Sequence, residues 1–145
     1  MLKSLLFSRA CRSVSLLVVM LASHGAAVGA ELPPYVYKDM QASAPESLVI
    51  EVLSVKTKKA DEARLVRVSV TVEARVERVN RTQSGLKPGA TIRITYDHRR
   101  YKEPPAGPSE VPVLGRGQVC PAYLKKGDAG AYSPAAGGYS FETVS

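Results

Sequence analysis

The 145-residue sequence predicts an all-β chain built around a small curled sheet. Three observations carry that reading. Val66, Val68, Val70, Val72, Ala74 and Val76 alternate with Arg67, Ser69, Thr71, Glu73, Arg75 and Glu77. Side chains in a strand point to opposite faces in turn, so Leu65–Val79 is a strand with one apolar and one wet face. In an earlier stretch Leu48, Ile50 and Val52 share a face, and the phase then slips by one residue to Leu53 and Val55. Such a slip is what a β-bulge produces, and bulges bend strands and let sheets curl. Finally, Gly- and Pro-containing turn signals separate the apolar runs, and no segment is long enough for a confident amphipathic helix.

Residues 1–30 read as a secretory signal. Lys3, Arg9 and Arg12 form a positive start, Ser15–Ala22 a short apolar core, and Val28-Gly29-Ala30 a small-residue cut site before Glu31. The apolar run falls short of the ~20 residues that span a bilayer, so no membrane span is expected after cleavage. Three of the 20 basic residues fall in this leader, against none of the 13 acidic ones, which lowers the formal charge from +7 to +4. Interspersed charge of that size is ordinary for a soluble surface and argues against nucleic acid as the partner. Cys120 is the one cysteine left, so no internal disulfide can form and the fold rests on its apolar core.

Residues 31–46 form a lead. Pro33-Pro34 is stiff and extended, Tyr35 and Tyr37 suit packing on the outside or over a sheet edge, and Ala42–Glu46 reads as loop. The barrel domain occupies residues 47–145. Leu48–Lys56 is its first strand, Thr57–Ala63 a polar connection, and Leu65–Val79 the long second strand. In Asn80–Ala90, Ser84-Gly85 is one turn and Lys87-Pro88-Gly89 another, with Pro and Gly placed for a type II turn; Leu86 between them would plug the barrel end. Thr91–Asp97 is the third strand, with Ile92, Ile94 and Tyr96 facing in. His98–Pro112 holds four prolines and reads as a long loop. Val113–Lys126 supplies a fourth strand region, and Ala131-Tyr132 with Tyr139–Val144 the short last strands.

This order of landmarks resembles a known group. A bulged strand and a long alternating strand lead to Gly85-Leu86-Lys87-Pro88-Gly89, then a Thr91–Tyr96 strand, a variable loop, a Gly-rich strand with Cys120, Tyr123-Leu124-Lys125-Lys126-Gly127 and Tyr132-Ser133-Pro134. It is similar to the netrin-module and tissue-inhibitor-of-metalloproteinases group of OB-fold barrels, particularly its bacterial exported members, over about residues 48–141. The resemblance implies a five-stranded OB-like Greek-key barrel, extracellular use and protein–protein binding. The animal inhibitors chelate a protease metal through an N-terminal cysteine. The expected mature start here is Glu31-Leu32-Pro33-Pro34, and the group's disulfides are absent, so that inhibitory mechanism transfers to no residue of this chain.

Candidate chemistry is sparse. His98 is the only histidine after the leader, and its neighbour Asp97 points to the opposite face of a strand, so neither a metal site nor a catalytic base is expected. Cys120 lies between Val119 and Pro121, which supply no base to make it a nucleophile. As an unpaired cysteine in an exported chain it is a candidate for an intermolecular disulfide. Arg99, Arg100, Tyr101 and Lys102 place cations around an aromatic at the mouth of the Pro-rich loop, a composition suited to an anionic partner. Lys56, Lys58 and Lys59 suit a charged turn or a guard on a sheet edge. Asn80-Arg81-Thr82 matches the glycosylation acceptor pattern. No phosphate cradle, nucleophile elbow or zinc-ligand cluster is present in the sequence, and no cofactor is expected. The expectation is a non-enzymatic binding module, secreted or periplasmic, that meets a protein or anionic partner through loops on the barrel rim. The alternatives are an assembly role for Cys120 and a Cys-dependent enzyme.

Overall fold

The computed structural model describes residues 31–103 and 107–145; the leader lies outside them. Its elements are a helix, α1 (Pro34–Ser43), and five strands: β1 (Glu46–Asp61), β2 (Leu65–Arg81), β3 (Thr91–Tyr101), β4 (Val119–Lys126) and β5 (Tyr132–Pro134). A single 3-10 turn follows at Gly137–Tyr139. The strands close a barrel in the order β1-β2-β3-β5-β4, with β4 returning to β1. All pairings are antiparallel except β3 with β5, which are parallel and meet at Ile94 and Tyr132. The result is a small all-β, OB-like barrel.

The alternating valines line the inside. Val70, Val72, Ala74 and Val76 are buried and pack with Leu48, Ile50, Val52, Ile92, Ile94 and Leu124. Burying each large side chain contributes about 1.5–3 kcal/mol. The register of β1 on β2 shifts between Val52 and Ser54, so the bulge falls where the apolar phase slips. The predicted type II turn also forms: Gly89 has φ 86° and the Ala90 N–H donates to the Lys87 carbonyl at 3.1 Å. Only glycine takes that left-handed conformation without penalty. Leu86 packs half-buried against the core, as a plug would.

Several segments differ from expectation. The lead contains a helix. Pro33 and Pro34 open it, where a missing N–H costs nothing, and Tyr37 and Gln41, four apart, turn inward. Tyr37 packs on Tyr139, with ring centroids 4.4 Å apart. Gln41 Nε2 donates to the carbonyls of Tyr139 and Glu142 at 2.8 and 2.6 Å. Arg81 donates to the carbonyls of Ala44 and Gln41 at 2.9 and 2.8 Å, fastening the helix to β2. Tyr35, by contrast, is exposed.

The expected connection Thr57–Ala63 is strand as far as Asp61, and the turn shrinks to the residues before Leu65. Lys56–Asp61 are all exposed, so backbone pairing to β2, not burial, makes them strand. The third strand likewise continues past Asp97 to Tyr101, which moves His98–Tyr101 out of the Pro-rich loop. The fourth strand begins only at Val119, and Tyr139–Val144 is turn instead of strand because its backbone is engaged with Gln41 and Tyr123.

Candidate functional site

Beyond the closed barrel, β1, β2 and β3 run on together as a three-stranded extension. Their register sets rows across the outer face: Ala60–Arg67–Arg99, Lys58–Ser69–Asp97 and Lys56–Thr71–Thr95. The inner face carries Asp61–Val66–Arg100, Lys59–Val68–His98 and Thr57–Val70–Tyr96. Asp97 and His98 therefore point to opposite faces, as their adjacency predicts.

This register divides the four cationic-cluster candidates. Arg99 and Tyr101 share the outer face, whereas Arg100 stands opposite Val66 on the inner one. Lys102 lies at the tip, its Nζ 2.7 Å from Asp61 Oδ1. Three of them belong to the end of β3, held by the β2 ladder, and not to the Pro-rich loop that follows. Arg99 and Tyr101 line a cleft of about 390 Å³ whose other wall is Gly107–Val111 and Gly137.

The far wall is tied down. Gly138 passes so close to Ser109 that an added Cβ would lie 2.5 Å from the Ser109 carbonyl oxygen. Ser109 Oγ and Tyr37 Oη both donate to the Glu31 carboxylate. These bonds, from Tyr37 foremost, hold the Glu31 carboxyl below its ordinary range. His98 Nδ1–H donates to the Val111 carbonyl at 2.9 Å, and Tyr96 Oη to the Pro112 carbonyl at 2.8 Å. Glu110 accepts the Arg99 backbone N–H at 3.4 Å.

The residue that sequence reasoning missed is Arg67. It reads as one more polar residue of the wet face, but the register sets it directly opposite Arg99. The Lys102 N–H bond to the Arg64 carbonyl makes Val66 face β3 and leaves Arg67–Arg99 as a non-hydrogen-bonded pair, in which side chains stand closest. Arg67 Nε has Glu62 at 3.0 Å, and Arg75, further along, is flanked by Glu51 and Glu77. The Arg99 guanidinium has no acidic partner among the described residues.

Cys120 sits inside the barrel, 6% exposed, paired with Ile50. Burial pushes its thiol up to about 11, and the thiolate is the reactive form. At the other barrel end Glu46 is buried and accepts the Ser84 N–H at 2.8 Å, while its second oxygen has no partner among the described residues. It anchors the β2–β3 connection there, beside a cleft lined by Gln83, Lys125 and Lys126. Among the described residues no group of three or more His, Cys, Asp or Glu side chains is placed to hold a metal, and no helix is long and apolar enough to cross a membrane. Asn80 is exposed.

No family model matches the chain, and neither a curated protein nor a solved structure matches it.

Proposed function

We propose that the chain is an exported, non-enzymatic binding module that recognises an anionic group of its partner on the outer face of the β1–β3 extension. The observation that carries this is the Arg67–Arg99 pair. Two like charges directly opposite in a ladder are unfavourable. A bound carboxylate, sulfate or phosphate between them would turn that repulsion into two charge-assisted contacts. Lys58, one row along, adds a third cation. The half-buried Tyr101 ring and the cleft beside Arg99 give a partner's neighbouring groups somewhere to sit. The face offers Ser69, Thr71 and Thr95 instead of a row of aromatics, which favours a hydroxyl-rich or acidic partner over stacked bases.

The sequence supports export through the Lys3–Ala30 leader pattern, and the likeness to exported netrin-module barrels belongs to the same reading. Against a catalytic role stand two facts: the Cys120 thiol is enclosed and held protonated, and His98 Nδ1 is committed to the Val111 carbonyl. Enclosure of the thiol also weighs against an assembly role through a disulfide.

The test is elution from a sulfated-polysaccharide resin in a salt gradient. Arg99→Ala and Arg67→Ala are expected to elute at clearly lower salt, with Arg116→Ala, on the β3–β4 connection, unchanged. Equal shifts for all three would reduce the effect to net charge and overturn the reading.

A further inference from the structure

We infer that the free edge of β1 takes up an extended acidic segment of a partner protein as an added strand. β4 covers the edge of β1 only from Glu46 to Glu51, and Val52 is closed by bonds with Gln118 and Gly117. From Lys56 to Asp61 the strand is paired to β2 on one side and exposed. The Glu62 N–H bond to the Leu65 carbonyl fixes the phase of that pairing. Antiparallel residues alternate between facing the partner strand and facing away, so Asp61, Lys59 and Thr57 direct N–H and C=O outward. Among the described residues none of these six groups has a backbone partner. A row of this kind is a template for strand addition, in which backbone bonds supply affinity and alternate side chains supply selection.

Charge selects the occupant. A second copy of the chain adding antiparallel in a twofold manner along most of this edge would centre on Thr57, Lys58 or Lys59. The first register sets Lys56 against Lys58, the second Lys58 against its copy, and the third Lys59 against its copy. Each of these opposes lysine to lysine, which is unfavourable. A register centred on Ala60 sets Lys59 against Asp61 but engages only residues 59–61 of the strand. The same lysines favour a strand with carboxylates at alternate positions, since Lys56 and Lys58 lie two apart on one face. The edge is separated from the Arg99 cleft by the width of the three-stranded extension; Lys58 belongs to both surfaces, and Thr57→Pro, which alters no side chain of the anion site, separates failure of this inference from failure of that one.

The probe is an N-acetylated, C-amidated heptapeptide of alternating glutamate and valine, with a lysine–valine analogue as control. The readout is backbone amide exchange of the chain together with binding by titration. In the free chain, amides of Thr57 and Lys59 exchange fast and those of Lys58 and Ala60 slowly. The glutamate peptide is expected to bind saturably and slow Thr57 and Lys59, while the lysine peptide does neither. Thr57→Pro removes one outward N–H and leaves the β2 ladder intact, so it is expected to weaken binding about tenfold or more. The paired change Lys56→Glu with Lys58→Glu is expected to transfer binding to the lysine peptide. No saturable binding, binding without protection of Thr57 and Lys59, or binding undiminished in a folded Thr57→Pro chain would overturn the inference. Should Thr57→Pro fail to fold, the exchange pattern of the unaltered chain decides it.

Discussion

Arg67 stands directly opposite Arg99 in a non-hydrogen-bonded pair of the β2–β3 ladder, like charge against like. Around Arg75 the guanidinium is flanked by two acids, Glu51 and Glu77, whereas at this pair Glu62 reaches Arg67 and no acid pairs with the Arg99 guanidinium among the described residues. The stability cost of the arginine pair is therefore itself measurable.

Replacing Arg99 with Thr is expected to raise stability by a few tenths to ~1 kcal/mol, the scale of a cross-strand pair. Urea denaturation of Arg99→Thr beside the parent chain checks this. A loss of stability would mean that Arg99 makes a favourable structural contact and would undercut its assignment to binding.

Ile94 is the residue through which the barrel closes. It is fully buried, pairs with Val72 on β2 and meets Tyr132 on β5. Ile94→Ala is expected to cost about 2–5 kcal/mol, a transfer contribution plus the cavity left behind. A denaturation midpoint shifted by less than 1 kcal/mol-equivalent would mean that the site collapses freely.

Alkali is expected to weaken the fold over a defined window. Burial raises the Cys120 thiol from an ordinary 9.0 to about 11 and the Tyr96 phenol from 10.0 to about 12. Burial, with the Glu31 carboxylate second, raises Tyr37 from 10.0 to about 12. The unfolded chain loses these protons first, so between pH ~9 and ~12 it binds fewer protons than the native state and stability falls as pH rises. Below pH ~9 their contribution is fully present. Stability measured across that range is expected to decline. Cys120→Ala, whatever its offset, is expected to flatten the decline between pH ~9 and ~11. The same enclosure predicts that a thiol reagent at pH 8 labels Cys120 slowly in native chain and at once in denaturant.

Gly138 admits no side chain beside Ser109. Gly138→Ala is expected to cost about 1–3 kcal/mol, as overpacking does, and to loosen the wall of the Arg99 cleft. Limited proteolysis within residues 107–112 should accelerate. An unchanged cleavage rate would show that the strap moves aside at no cost.

The alternation of Val66–Val76, the slip after Val52 and the Lys87-Pro88-Gly89 turn were legible because each is a local rule: period two, one extra residue, one left-handed glycine. The helix was not. Ten residues with only Tyr37 and Gln41 turned inward leave a weak periodic trace, and what holds them is contact with residues about a hundred positions later. Thr57–Asp61 and His98–Tyr101 read as connection and loop because they are polar, yet polar residues form strand when a neighbouring ladder satisfies one edge.

By itself, then, the sequence determined which residues are apolar in alternation, where the chain must turn and that it is rich in strand, since these follow from side-chain chemistry along a few consecutive residues. Only the tertiary structure decided that Arg67 meets Arg99, that Arg100 turns to the other face and that β1 outruns its cover. Those are matters of register between segments tens of residues apart, and a shift of one residue in that register would send each of these side chains to the opposite face.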